Sequence, residues 1–183
     1  MEWNFGLLLR KPLTREQADA FDHCDALADG AISYTLAPEE PDAHPQPADP
    51  ALLRELSCDI EAATLLDAIA EAVQRIQLVD LRAVGVTLPD LVTLDEVAQR
   101  SGHSAQAVAD LSQYPRFPEP ESDEGTLLYS WLRVAAFLRD IGDPVPDVPQ
   151  EAVIADHALG LTDALDGAHV ARGTLRALGL PTA

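Results

Sequence analysis

The residues able to do chemistry are few, and their spacing limits what they can do. His23-Cys24-Asp25 has the residue types of a thiol nucleophile, a base and an orienting acid. Successive helical residues point about 100° apart, so three neighbours cannot converge on one reacting atom. Cys24 also falls on one helical face with Ala18, Phe21 and Ala28, which reads as a core thiol. His157 and His169 lack further ligands at metal spacing. Cys24 and Cys58 make neither a zinc set nor a disulfide framework. No Gly-rich phosphate loop, nucleophile elbow or HExxH pattern occurs. A non-enzymatic protein without metal or cofactor is the expectation.

What remains is a set of amide, hydroxyl and guanidinium groups in the middle of the chain. Gln106 can make a paired contact to adenine, and Arg100, Arg116 and Arg133 can neutralise phosphates. Ser104 is placed to cap the helix that carries Gln106 and joins it as a candidate DNA-contacting residue. Next to them runs an acidic stretch, Glu119, Glu121, Asp123 and Glu124, able to imitate phosphate charge or engage a basic protein.

Global charge weighs on that choice. The 183 residues hold 12 Lys+Arg against 31 Asp+Glu, a formal net charge of −19. Such a field opposes approach to nucleic acid and anionic membrane and favours basic partners. No apolar run approaches the ~20 residues that span a bilayer, and Met1-Glu2-Trp3-Asn4 lacks the basic flank of a secretory signal. With two cysteines only, a reducing cytoplasm is expected.

The elements that must position these groups are read from periodicity. Residues 1–90 alternate strand and helix patterns. Trp3 to Leu9, Ala31 to Leu36, the stretch with Leu56, Cys58 and Ile60, and Leu81 to Val86 read as strands. Thr14-Arg15-Glu16-Gln17 is a capping box opening a helix that Gly30 can end, and Leu66, Ile69, Val73 and Ile76 mark a second helix. The order βαββαβ is that of a ferredoxin-like sandwich, an α+β fold. Prolines at 38–50 and 144–149 read as exposed loops.

Over residues 91–142, Thr93-Leu94-Asp95-Glu96 opens a short helix with Leu94, Val97 and Ala98 inward. Gly102 supplies a tight turn, and Ser104 caps a second helix with Val108 and Leu111 inward. Phe117-Pro118 and the acidic loop lead to a hairpin, then a helix with Val134, Ala135, Phe137 and Leu138. Glu96-Val97-Ala98, Gly102, Ser104, Ala107-Val108, Phe117-Pro118, Tyr129, Trp131, Val134 and Phe137-Leu138 resemble the winged helix-turn-helix of the MerR and excisionase type. The whole chain resembles small actinobacterial helix-turn-helix proteins with an α+β N-terminal domain.

The resemblance implies DNA binding in transcriptional control, the second helix entering the major groove and arginines holding the backbone. The departure from the pattern is electrostatic: residues 104–113 contain no cation and include Asp110. The alternative is therefore an acidic protein-interaction module, or DNA mimic, on the same fold. Residues 143–183 read as a helical tail of two amphipathic helices interrupted near Gly160, suited to homodimer formation.

Overall fold

The computed structural model describes residues 1–36, 50–122 and 125–180. The proline stretch from Pro38 to Pro47, and Asp123 and Glu124 of the acidic loop, lie outside the described residues. The chain is mixed α+β and divides into two units, Met1–Thr87 with Ile154–Ala183, and Leu88–Val153. The C-terminal segment is thus shared: residues 143–153 group with the second unit, and those from Ile154 onward with the first. Among the described residues, no helix is long and apolar enough to cross a membrane.

The first unit is built on β1 (Glu2–Leu9), β2 (Ile32–Tyr34), β3 (Glu55–Glu61) and β4 (Ala83–Thr87). They form one antiparallel sheet in the order β2-β3-β1-β4. Alternation sets the faces: Phe5, Leu7, Leu9, Leu56, Cys58, Ile60 and Ile32 are buried, whereas Asn4, Ser57 and Asp59 are exposed. Gly6 has a steric reason. A Cβ there would fall on the Glu55 carboxylate and the Thr87 hydroxyl, which bond to each other above it.

Two helices belong to the connections between strands, α1 (Arg15–Asp22) and α2 (Leu65–Gln77). α1 opens on the full capping box expected at Thr14, whose hydroxyl accepts the Gln17 amide while the Gln17 side chain accepts the Thr14 amide. The helix does not run on to Gly30. It stops at Asp22, Cys24 takes an extended conformation, and a 3-10 turn spans Asp25–Leu27. The break lets Leu27 enter the core in place of Cys24, which is half-buried, and leaves Ala28 exposed. In α2 the expected Ile69 and Ile76 are buried, joined by Leu65, Ala68 and Ala72, while Val73 is half-buried and Leu66 exposed.

The second unit contains β5 (Leu91–Val92), α3 (Leu94–Ser101), α4 (Ala105–Leu111), β6 (Tyr129–Ser130) and α5 (Trp131–Asp140). β6 pairs antiparallel with β5, Val92 opposite Tyr129. The expected hairpin before α5 is reduced to a bridge between Ser122 and Leu128, because Tyr129 and Ser130 are already paired elsewhere. Val97, Ala98, Val108, Phe117, Trp131, Val134 and Leu138 share one core, with Leu94 and Leu111 packed on it. Phe117 sits edge-on to Tyr129 and to Phe137, at 5.6 and 5.3 Å between ring centres.

The tail holds α6 (Gln150–Leu165) and α7 (Arg172–Ala177). α6 passes through Gly160 without the interruption expected there. A Cβ at Gly160 would lie at an ordinary contact distance, 3.9 Å, from the Val84 carbonyl oxygen on β4, so the helix has room for a side chain there.

Candidate functional site

The groups singled out on the second unit are positioned by three local devices. The Thr93 hydroxyl accepts the Glu96 amide at 3.2 Å while the Glu96 carboxylate accepts the Thr93 amide at 2.7 Å, fixing the start of α3. Gly102 ends α3 at φ +74°, a conformation that costs a side-chain-bearing residue energy. Ser104 then caps α4, its hydroxyl accepting the Ala107 amide at 3.2 Å. Its hydroxyl therefore has a helix-capping role, as expected. Two helices meet at a three-residue link, Gly102 to Ser104, and Val97, Ala98 and Val108 are buried.

The outward face of α4 is open. Ala105, Gln106, Asp110 and, beyond the helix, Gln113 are exposed. No cation stands on this helix. The Gln106 amide donates to the Asp110 carboxylate at 2.9 Å, so the donor that would read a base is held by an acid one turn on.

The arginines expected to grip phosphate are engaged elsewhere, with one exception. Arg100 is half-buried, donates to the Pro89 carbonyl oxygen at 2.9 Å and lies 5.6 Å from the centre of the Trp131 ring. Burial draws its pKa below the ordinary guanidinium value, against the opposing pull of Glu96 and Asp90. Arg133 donates to Glu121 at 2.7 Å. Arg139 holds the Val145 carbonyl oxygen at 3.2 Å and the Asp147 carboxylate at 2.5 Å. Arg116 is exposed and has no hydrogen bond or ion pair among the described residues. It lines a surface cavity of about 550 Å³ with Phe117, Glu119, Arg133, Phe137 and Asp140.

Of the acidic stretch, Glu119 and Glu121 are exposed. Glu121 is doubly anchored, through the ion pair to Arg133 and through its amide, which donates to the Leu128 carbonyl oxygen at 2.7 Å. The structure therefore joins Arg133 and Glu121, assigned above to rival activities, in a single contact.

Two contacts were hidden from sequence reading. His103, in the turn before α4, pairs with Asp143 just past α5. Asp90 anchors the start of α5, its side chain accepting the Leu132 amide at 3.0 Å and its carbonyl oxygen accepting the Trp131 amide at 2.7 Å. Both connect residues about forty apart in sequence, where no periodicity operates.

The thiol candidate does not assemble. His23 is exposed with its Nδ1 2.7 Å from the Asp19 carbonyl oxygen, a contact that raises its pKa together with the charge of Asp19. Cys58 is buried, and loss of solvent pushes its thiol up to about 12. His157 and His169 are both exposed. Comparisons with family models, curated proteins and solved structures return no match to this chain.

Proposed function

We propose that residues 91–142 form a winged helix-turn-helix of the MerR and excisionase type, in a chain that also carries a ferredoxin-like unit, within a non-enzymatic regulatory protein. Its outward α4 face and acidic wing serve as a docking surface for a basic protein partner. The observation that carries this reading is the state of the cations: Arg100, Arg133 and Arg139 are all satisfied within the unit, while α4 offers Asp110 and no positive group. A DNA-docking module neutralises several phosphates, and Arg116 alone cannot do so.

A second reading, DNA binding in transcriptional control, draws on a different observation. The α3-Gly102-α4 turn leaves the second helix uncovered with Gln106 exposed, the arrangement by which such helices enter a major groove.

One measurement separates them: titration of the full chain with mixed-sequence and own-promoter duplexes at about 50 mM salt, where cationic contacts are strongest. Protein docking predicts no duplex binding. It also predicts a cellular partner whose capture weakens when Asp110→Asn and Glu119→Gln are combined. Saturable duplex binding that falls at least tenfold in Gln106→Ala or Arg116→Ala would establish the DNA reading instead.

The tail is proposed to pair with a second copy, since Ile154, Leu161, Val170 and Leu178 remain exposed. Sedimentation velocity of the full chain and of Leu161→Glu tests this. Two free cysteines suit a cytoplasmic setting.

A further inference from the structure

α6 carries apolar residues on two sides. Successive helical positions lie about 100° apart, so Ile154, Leu161 and Leu165 fall within about 40° of one another. Asp156 and Asp163 fall on the opposite side, and both are taken up by the sheet of the first unit. Asp156 accepts the Val86 amide on β4 at 3.1 Å, and Asp163 accepts Arg10 Nε at 2.8 Å. Just past the helix, Asp166 lies 2.8 Å from Arg82 Nη1.

The side left uncovered is a strip without carboxylates. Ile154 is 47% and Leu161 38% exposed, and His157, Ala158 and Ala164 beside them are exposed too. The chain carries a net charge of −19, so two copies repel over most of their surface. Along this strip they can close without bringing acids together. A basic partner, by contrast, finds no anion on it to pair with.

We propose that α6 pairs with α6 of a second copy, antiparallel, about a two-fold axis that passes between His157 and Ala158. This rests on the reading that the tail pairs with a second copy, and adds the helix, its direction and its register. The strip is self-complementary under that rotation. Ile154 comes opposite Leu161 of the second copy, and Leu161 opposite its Ile154, so the two large exposed side chains cover each other. Ala158 meets its own copy at the axis, where a small residue lets the helices approach. Leu165 meets Gln150, and Glu151 at the margin meets Ala164. A parallel pair would set Glu151 against Glu151 and align the two helix dipoles, and the antiparallel pair avoids both. A single pair of 16-residue helices stands at the small end of protein interfaces, so a dissociation constant of about 10–100 µM is expected.

Cysteine cross-linking of the full chain tests the register. In a Cys24→Ser background, Ala158→Cys sets the two substituted positions about 1.5 Å apart along the helix axes, within disulfide reach, and Ala164→Cys sets them about 20 Å apart. Both positions are exposed, so neither substitution disturbs the core. Oxidation is expected to give a covalent dimer of Ala158→Cys and about tenfold less from Ala164→Cys at equal concentration. Sedimentation velocity of the wild type between about 5 and 500 µM is expected to show a monomer–dimer equilibrium. A wild-type dimer in which Ala164→Cys links as readily as Ala158→Cys, or in which neither links, overturns the antiparallel register while the tail still pairs. A chain that sediments as a monomer throughout overturns the register and the pairing together.

Discussion

The carboxylate of Asp156 accepts the backbone amide of Val86 at 3.1 Å. Val86 lies on β4, the outer strand of the four-stranded sheet, so a side chain from α6 takes a ladder donor that no further strand claims. Gly85 admits the contact, since a Cβ there would come within 2.9 Å of the same oxygen. Asp156→Ala removes one partly exposed hydrogen bond and is expected to cost about 1 kcal/mol in urea unfolding. Gly85→Ala displaces the aspartate without deleting it and should give a similar loss. If Asp156→Ala leaves the midpoint unchanged, the edge is satisfied by water and the contact contributes nothing.

Arg100 is a structural cation. Its charge is placed against the Trp131 ring and the Pro89 carbonyl oxygen. Arg100→Ala should therefore destabilise the second unit by about 2–4 kcal/mol, the sum of a ring contact and a charge-assisted hydrogen bond. Trp131 emission should shift as the ring loses its cover. Arg100→Lys keeps the charge and loses the fork, and should recover less than half of the loss. A variant as stable as wild type, with altered partner binding, would return Arg100 to the interface.

How far sequence could foresee these contacts depended on distance along the chain. The capping boxes at Thr14 and Thr93 and the turn at Gly102 are local patterns and stand in the structure. The alternation of Leu56, Cys58 and Ile60 set the inner face of β3 in the same way. Reading failed where two solutions had similar local merit. At the start of α2 Leu65 takes the buried place expected of Leu66, while Ile69 and Ile76 of the same stripe are buried as expected. A glycine in a helix can mark an end or lie within an unbroken run, and α6 continues through Gly160. The partners of the arginines were out of reach altogether. Pro89 is eleven residues from Arg100, Glu121 twelve from Arg133, and Asp163 one hundred and fifty-three from Arg10. The face around Gln106 was legible in its lack of cations and in Asp110, but where Arg100, Arg133 and Arg139 found their partners was not.

The turn at Gly102 offers a test of the α3-α4 arrangement that is free of packing effects. Nothing lies within 4 Å of a Cβ built there, so a substitution meets backbone strain alone. Gly102→Ala is expected to cost about 1–2 kcal/mol, and Gly102→Asn less, because asparagine tolerates the left-handed region better. Equal stability of the alanine variant would mean that the turn relaxes to another conformation, and the orientation of α4 would go with it.

Cys58 sets a pH dependence whose sign can be worked out. Burial pushes its thiol up to about 12, above the ordinary value of 9.0 that it regains on unfolding. Between those values the folded chain keeps a proton that the unfolded chain has released. Its contribution is fully present below about pH 9 and declines as pH rises towards 12, by at most about 1.4 kcal/mol per pH unit. Urea unfolding at pH 8, 9, 10 and 11 should show that decline in wild type and lack this component in Cys58→Ala, each compared with its own value at pH 8. Asp29 works in the opposite sense. Its hydrogen bond to Arg75 holds its carboxyl below the usual carboxylate value, so its contribution is lost as pH falls through the folded pKa. The same burial makes Cys58 inert to a thiol reagent such as dithionitrobenzoate in the native state, while half-buried Cys24 reacts first. Parallel pH slopes in wild type and Cys58→Ala would show that the thiol does not report folding, and native-state reaction of both cysteines would place Cys58 outside the core.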